Sequence, residues 1–190
     1  MKKVVYSISK LKDVDMQHKC KVTVIDKKLF PDLQTQYLAD PRSGVCPFYQ
    51  IGDEFVFTRY GKRDDFWTQQ NGKHCSEAWD CISRYIYTAL QGGSIMRNWT
   101  NDERMMIACC NDGTRPVIFK IERLDYKVVY IDGLSDKNFS TVKRLLSELK
   151  EATAIDYNAE ENYFEVYVDK DFDDGIIIEK LKSFGITKID

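Results

Sequence analysis

The sequence has little histidine and none of the closely spaced cysteine pairs that mark common metal or redox sites. It holds two histidines in 190 residues, and none of its six cysteines is followed by another three positions later. A Cys-His-Asp arrangement for hydrolysis and a Cys-x-x-Cys motif are therefore both missing. No glycine-rich phosphate loop occurs, and no apolar run approaches the roughly 18 residues of a membrane helix. These absences argue against hydrolytic chemistry, phosphate binding by a glycine loop and a membrane span.

Cysteine is also missing from the last 80 residues, since all six lie at positions 20, 46, 75, 81, 109 and 110. Residues 1–15 contain no apolar core of signal-peptide length, so we expect a cytoplasmic protein whose thiols stay reduced. The net charge of -2 predicts neither nucleic acid nor a membrane surface as the main partner. A metal or a partner protein is left as the binding partner, and the oligomeric state is left open.

Residues 105–121 have the pattern of a β-hairpin. Two apolar runs flank Asp112-Gly113, and we expect Gly113 to supply the positive φ of a tight turn. Cys109 and Cys110 come at the tip of this hairpin. Because successive side chains of a strand face opposite sides, only one of the two is expected to face a given pocket.

A second candidate thiol stands at the start of a helix. Ser76 is the predicted N-cap of a helix that ends near Gln91, and Cys75 comes just before it, with His74 beside it in sequence. The amino end of a helix favours a thiolate, so we expect Cys75 to be the most reactive cysteine. An enzyme that uses Cys75 as its nucleophile is one alternative, and a thiol without a role is the other.

The remaining cysteines differ in their expected surroundings. Cys20 shares the face of an alternating strand with valines, and Cys81 lies beside the apolar stripe of the helix, so both are expected to pack in the core. Cys46 precedes a strand in a Cys-Pro loop, a less buried setting. The polar segment 58–73, around Phe66-Trp67, is expected to be a mobile loop.

The last third of the chain alternates strands and helices in the order βαββαβ. Predicted strands cover 127–131, 152–157, 163–168 and 186–189, and predicted helices cover about 138–151 and 173–184. This order specifies a ferredoxin-like sandwich. We therefore predict an α+β protein with two domains: residues 1–125, a mixed α+β domain with a hairpin and one principal helix, and residues 126–190, the ferredoxin-like domain.

Five motifs in the N-terminal domain resemble a family of small uncharacterised prokaryotic proteins. Its members share a Leu-Phe-x-Asp-Leu segment, a Cys-Pro loop before Gly-x-Glu-Phe, a Cys-x-x-Ala-Trp-Asp helix start, an Ala-Leu-x-x-Gly-Gly helix end and a Cys-Cys-x-Asp-Gly-x-Arg-Pro-Val hairpin. The resemblance covers about residues 20–123 and implies no activity. The motifs here are Leu29 to Leu33, Cys46-Pro47 with Gly52 to Phe55, Cys75 to Asp80, Ala89 to Gly93, and Cys109 to Val117.

The C-terminal domain resembles heavy-metal-associated domains, whose first loop reads Gly-Met-x-Cys-x-x-Cys. The corresponding residues here run from Gly133 to Phe139, and Asp136 and Phe139 stand at the two cysteine positions. The resemblance implies the fold. Because Cu(I) needs the missing thiolates, no tight copper or zinc site is expected in this domain.

Two functions of different class follow from these patterns. One is a thiol-based metal or redox site built from Cys46, Cys75, Cys109 and Cys110, which could hold zinc, copper or an iron-sulfur cluster or exchange disulfides. One hairpin cysteine is then expected within ligand distance of Cys75 or Cys46. The other function is a two-domain binding or regulatory module with structural cysteines and no catalysis. Arg115, beside the turn, could bind a carboxylate or phosphate, or be a plain surface arginine.

Overall fold

The computed structural model describes residues 5–7, 16–59, 63–68, 75–132, 134–169 and 171–188. Within them the fold is mixed α+β, as predicted. No helix in these ranges is both long enough and apolar enough to cross a membrane. The elements in chain order are β1 (Val5–Ser7), β2 (Gln17–Lys27), α1 (Pro31–Tyr37), β3 (Glu54–Thr58), α2 (Asp65–Thr68), α3 (Ser76–Leu90), β4 (Met105–Cys109), β5 (Val117–Asp132), α4 (Asp136–Ser147), β6 (Ala152–Asn158), β7 (Tyr163–Val168), α5 (Asp174–Lys182) and β8 (Thr187–Lys188).

The chain divides into two compact units. One is His18–Leu124, here called the cysteine unit because it holds all six cysteines. The other, here called the C-terminal unit, joins Asp125–Asp190 with the residues before His18. The predicted domains 1–125 and 126–190 assigned the first strand to the N-terminal part. In the structure β1 instead pairs with the end of β5 and with β8, because its partners are residues 130–132 and 187–188.

The cysteine unit is built on a sheet with α3 against it. β3 pairs antiparallel with β2, and both β2 and β4 pair with β5. The helix buries a stripe that includes Ala78, Ile82 and Ile86. Their apolar area meets the sheet residues Val22, Phe55, Phe57, Val117, Phe119 and Ile121, which form one core. Removal of this area from water stabilises the unit.

The predicted hairpin is present, with a different turn. β4 and β5 pair antiparallel from Met105 opposite Glu122 to Cys109 opposite Ile118. Gly113 does not adopt the positive φ that we expected. The reversal is held instead by the Asp112 carboxylate, whose Oδ1 accepts from the backbone N–H of Thr114 and of Arg115. An aspartate that bonds the backbone two residues ahead makes an Asx turn, which needs no left-handed residue.

The principal helix begins one residue earlier than predicted. Cys75 is its N-cap, with extended backbone, and Ser76 is the first helical residue. Cys75 O accepts from Trp79 N at 3.0 Å, which starts the helix, and the cap side chain makes no capping hydrogen bond. The thiol is therefore free to take part in other contacts.

The expectation of a mobile loop over 58–73 is wrong for its described part. α2 lies in this segment, and Phe66 is buried among the rings of Phe55, Phe57 and Tyr49. The polar residues around Phe66 hid this core residue, because a single buried ring gives no periodic signal. Residues 60–62 and 69–73 of the predicted loop lie outside the described residues.

The C-terminal unit contains the predicted order of elements and one strand more. β7 pairs antiparallel with β6 and with β5, β1 pairs antiparallel with β5, and β8 pairs parallel with β1. β1 thus lies between β5 and β8. The helix predicted over 138–151 is α4, which starts earlier because Asn138 Oδ1 accepts from the Ser135 N–H at its cap. The core residues of the C-terminal unit include Val129, Val142, Leu146, Phe164, Val166, Ile177 and Leu181.

No linker separates the strands predicted on either side of residues 124–126. β5 is one strand of 16 residues, Val117–Asp132, and it contributes to both units. This strand includes the charged residues Glu122, Arg123 and Asp125. Arg123 and Asp125 are nevertheless buried, and the Arg123 guanidinium donates to the carbonyls of Gly92 and Gly93 at the end of α3. Paired in this way, a charged residue can occupy the interior of a sheet.

Candidate functional site

Three segments that are distant in sequence meet at the amino end of α3. The backbone N–H of Asn111 donates to Glu77 O at 3.3 Å, which joins the hairpin tip to the first turn of the helix. The N–H groups of Lys28 and Phe30 donate to Pro116 O and Thr114 O, each at 2.9 Å, which joins the same tip to the end of β2. Docking of α3 therefore brings Cys75 to the turn end of the hairpin. The sequence pattern did not determine which end of the hairpin Cys75 would approach.

The vicinal cysteines face opposite ways, as strand alternation predicted. Cys109 is exposed, whereas Cys110 is 8% exposed and belongs to the core. The Cys110 Sγ accepts from the Val117 N–H at 3.2 Å. Burial raises the pKa of the Cys110 thiol, and the backbone N–H groups of Val117 and Asp112 oppose part of that rise. Cys110 is thus a protonated thiol held in one orientation.

A buried phenol lies among the thiols. The Tyr49 hydroxyl is within hydrogen-bonding reach of Cys75 and close enough to Cys46 and Cys110 for their charges to act on it. Burial raises the pKa of Tyr49, with further rises from the charge of Cys75 and its hydrogen bond. A phenol that keeps its proton donates to a neighbouring thiolate. Cys46 and Cys75 are half-buried and pack against the same core as Tyr49 and Cys110.

Aromatic packing and a lysine hold Tyr49 in position. Its ring meets Phe55 and Phe119 edge to face, at centroid distances of 6.0 Å and 5.5 Å. The Lys27 ammonium donates to the Tyr49 carbonyl at 2.7 Å. Sequence reasoning missed Tyr49, although it stands three residues after Cys46, because an isolated tyrosine carries no motif.

The other predicted site residues are distributed differently. Cys20 is fully buried and Cys81 nearly so, as expected, and burial raises the pKa of Cys81 to about 12. The Arg115 Nε donates to the Asp112 carboxylate at 3.0 Å, so this arginine fastens the turn. Binding of an anion by Arg115 stays a prediction. His74 lies outside the described residues.

Four thiols in one metal site would need Cys109 on the same side as Cys110, and Cys109 is exposed on the other side of the strand. Across the described ranges, no group of three or more histidine, cysteine or acidic side chains has a geometry that could hold a metal ion. The residues present therefore do not fit the four-thiolate site that the cysteine count suggested. Uptake of Cu(I) by fewer than three of these thiols stays a prediction.

Replacement of Tyr49 by phenylalanine should slow alkylation of Cys75. The Tyr49 hydroxyl can donate to the attacking sulfur, and a hydrogen bond to a charged group is worth about 1.5–3 kcal/mol. About half of that loss reaches the rate, because a less stabilised thiolate is also a better nucleophile. We expect iodoacetamide to react with Cys75 about 3- to 10-fold more slowly, measured by mass spectrometry of peptides. The alkylation rate of Cys109 in the same molecule is the internal control and should not change. Tyr85→Phe is the matched control, and its Cys75 rate should equal that of wild type. Equal Cys75 rates in Tyr49→Phe and wild type would contradict the hydrogen bond.

Compared with protein-family models, with curated proteins and with solved structures, the chain matches none.

Proposed function

We propose that the cysteine unit carries out thiol–disulfide exchange, with Cys75 as the attacking thiol and Cys110 as the resolving thiol. The observation that carries this proposal is the meeting of Cys46, Cys75 and Cys110 around the buried hydroxyl of Tyr49. Three free thiols from three separate segments share one location, and a hydrogen-bond donor is available to one of them.

The reaction has two balanced steps. The Cys75 thiolate attacks one sulfur of a small disulfide, which forms a mixed disulfide and releases one small thiolate. The Cys110 thiol then attacks Cys75 Sγ, its proton passing to solvent or to the leaving group, and the second small thiolate departs. Two protein thiols are oxidised and one disulfide is reduced to two thiols.

The surroundings of the two cysteines suit these different roles. Cys75 is half-buried at the amino end of α3, where backbone N–H groups end the helix and the Tyr49 hydroxyl lies within hydrogen-bonding reach. Cys110 is buried with a raised pKa, so it stays protonated until the mixed disulfide is formed beside it. A partly accessible attacking thiol and a buried resolving thiol give the reaction a direction.

Oxidised glutathione tests the proposal on the full chain. After incubation and digestion without reductant, mass spectrometry should find a disulfide that joins Cys75 to Cys110. The Cys109→Ser variant is the matched control, because Cys109 is adjacent in sequence but exposed on the other face, and its oxidation should equal that of wild type. Glutathione on Cys109 alone, with no internal disulfide, would contradict the exchange reaction and favour a binding module with structural cysteines.

Two finer expectations from the sequence stay proposals. One is kinship with the prokaryotic family, whose motifs at Cys46, Cys75 and Cys109-Cys110 include the cysteines of the proposed site. All six cysteines are free, and free thiols suit a reducing compartment, so we retain the cytoplasm as the proposed location.

For the C-terminal unit we propose a ferredoxin-like domain with an added strand. The order β5, α4, β6, β7, α5, β8 and the antiparallel pairs of β7 support it. β1 between β5 and β8 is the departure from a four-stranded sheet. A binding or regulatory role remains the proposal for this unit, because Asp136 and Phe139 stand where related domains carry metal-binding cysteines.

A further inference from the structure

The short helix α1 buries an amide where an apolar residue would be expected. All seven residues of α1 are described, and only Gln34 is buried, at 2% exposed. The aromatic residues at the two ends of this helix, Phe30 and Tyr37, are 42% and 69% exposed. Burial of an amide is unfavourable unless its polar atoms are hydrogen-bonded, so this choice of residue needs an explanation.

Both ends of the Gln34 carboxamide bond to the backbone of one residue. Its Nε2 donates to Gly44 O, and its Oε1 accepts from Gly44 N, each at 3.0 Å. Gly44 has φ of +70°, a conformation that favours glycine. Gln34 thus bonds both the N–H and the C=O of Gly44, as a neighbouring strand would, and it fixes the path of the chain two residues before Cys46.

The segment from Gly44 to Tyr49 is held at its two ends and carries Cys46 and the Tyr49 hydroxyl, two groups of the thiol site. Gln34 holds Gly44, and the Lys27 ammonium holds the Tyr49 carbonyl. Cys46 and the Tyr49 ring lie between these attachments, against the core that also holds Cys75.

We propose that Gln34 is a positioning residue for the thiol site: through Gly44 it keeps Cys46 and the Tyr49 hydroxyl in register with Cys75. This inference rests on the proposed exchange function. Gln34 touches none of the thiols and acts only through the segment that it holds.

The first test replaces Gln34 by methionine, which has similar volume and neither amide bond. Alkylation of Cys46, relative to Cys109 in the same molecule, should rise about 5- to 150-fold, the range that two net hydrogen bonds represent. Closure of the Cys75–Cys110 disulfide by oxidised glutathione should slow, because Tyr49 is no longer held at Cys75. Gln36→Met, an exposed position on the same helix, should change neither rate.

A second variant separates positioning from general stability. In Gln34→Glu the protonated carboxyl has a donor and an acceptor and can repeat both bonds, whereas the ionised carboxylate has no donor for Gly44 O. The charged residues of α1 and of the segment to Gly44, Asp32, Asp40 and Arg42, are all exposed. With a thiosulfonate reagent, the rate of reaction of Cys46 divided by that of Cys109 is measured. This rate ratio should equal that of wild type at about pH 5 and exceed it at about pH 8.

Different results would overturn the positioning role of Gln34 and the exchange function. Unchanged Cys46 ratios in Gln34→Met, or raised ratios with unchanged disulfide closure, would overturn the positioning role. A pH-independent ratio in Gln34→Glu would also overturn it. A wild type that forms no Cys75–Cys110 bond fails the exchange function instead, and the Cys46 ratios then decide by themselves whether Gln34 holds the segment.

Discussion

The Cys110→Ser variant is expected to stop the exchange reaction after its first step, with one glutathione retained on Cys75. The serine hydroxyl is smaller and can accept from the Val117 N–H as the thiol does, so the hairpin should keep its structure. It cannot form a disulfide. Mass spectrometry of peptides should therefore find glutathione on Cys75 in nearly all molecules, where wild type carries an internal disulfide.

The complementary variant defines the order of the two steps. Cys75→Ser removes the attacking thiol, so neither the mixed disulfide nor the internal disulfide should form, while Cys109 reacts as in wild type. An internal bond between Cys75 and Cys46 in Cys110→Ser would contradict the assignment of Cys110, because resolution would then belong to Cys46. Glutathione retained on Cys110 in Cys75→Ser would reverse the two roles.

Phe119→Ala should cause the largest loss of stability. Phe119 is fully buried on β5, and its ring packs edge to face on Tyr49. Removal of a buried phenyl group leaves a cavity and costs about 3–5 kcal/mol. With a urea dependence of about 1–3 kcal/mol per molar, the unfolding midpoint should fall by at least about 1 M. All three tryptophans, at 67, 79 and 99, belong to the cysteine unit, so their fluorescence reports this unit by itself.

Ile107→Ala is the matched control for that measurement. Ile107 lies on the adjacent strand β4 but is 41% exposed, so its truncation removes less apolar area from the core. Its midpoint should move by a small fraction of the Phe119 shift. Similar shifts for the two variants would contradict the position of Phe119 at the centre of the core and its support of Tyr49.

Structural features that depend on residues close together in sequence could be predicted. Alternation along a strand separated Cys109 from Cys110, and the apolar stripe with its flanking Gly92-Gly93 located α3. The same reasoning failed at the hairpin turn, because Asp-Gly suits both a glycine turn and an aspartate-capped one. The hydrogen bonds of the Asp112 carboxylate decided between them.

The candidate site could be predicted only in part, because it depends on partners that are far away in sequence. Cys75 and the pair Cys109-Cys110 were singled out by a helix start and a hairpin tip, which are local signals. Tyr49 and Gln34 had none: the first acts through a hydroxyl next to Cys75, and the second through Gly44, ten positions along the chain. Polar residues that act through tertiary contacts leave no periodic trace in a single sequence.

The position of β1 has a consequence for how the protein is made. Val5 pairs with Thr187, so β1 cannot complete its pairing until the chain has been synthesised as far as Thr187. Every strand segment of the cysteine unit is available much earlier, by Leu124. Contacts between residues so distant in sequence form slowly, since a long loop must be closed first. Pairing of β1 with β8 is therefore a late step of biogenesis, after synthesis of this chain has passed the cysteine unit.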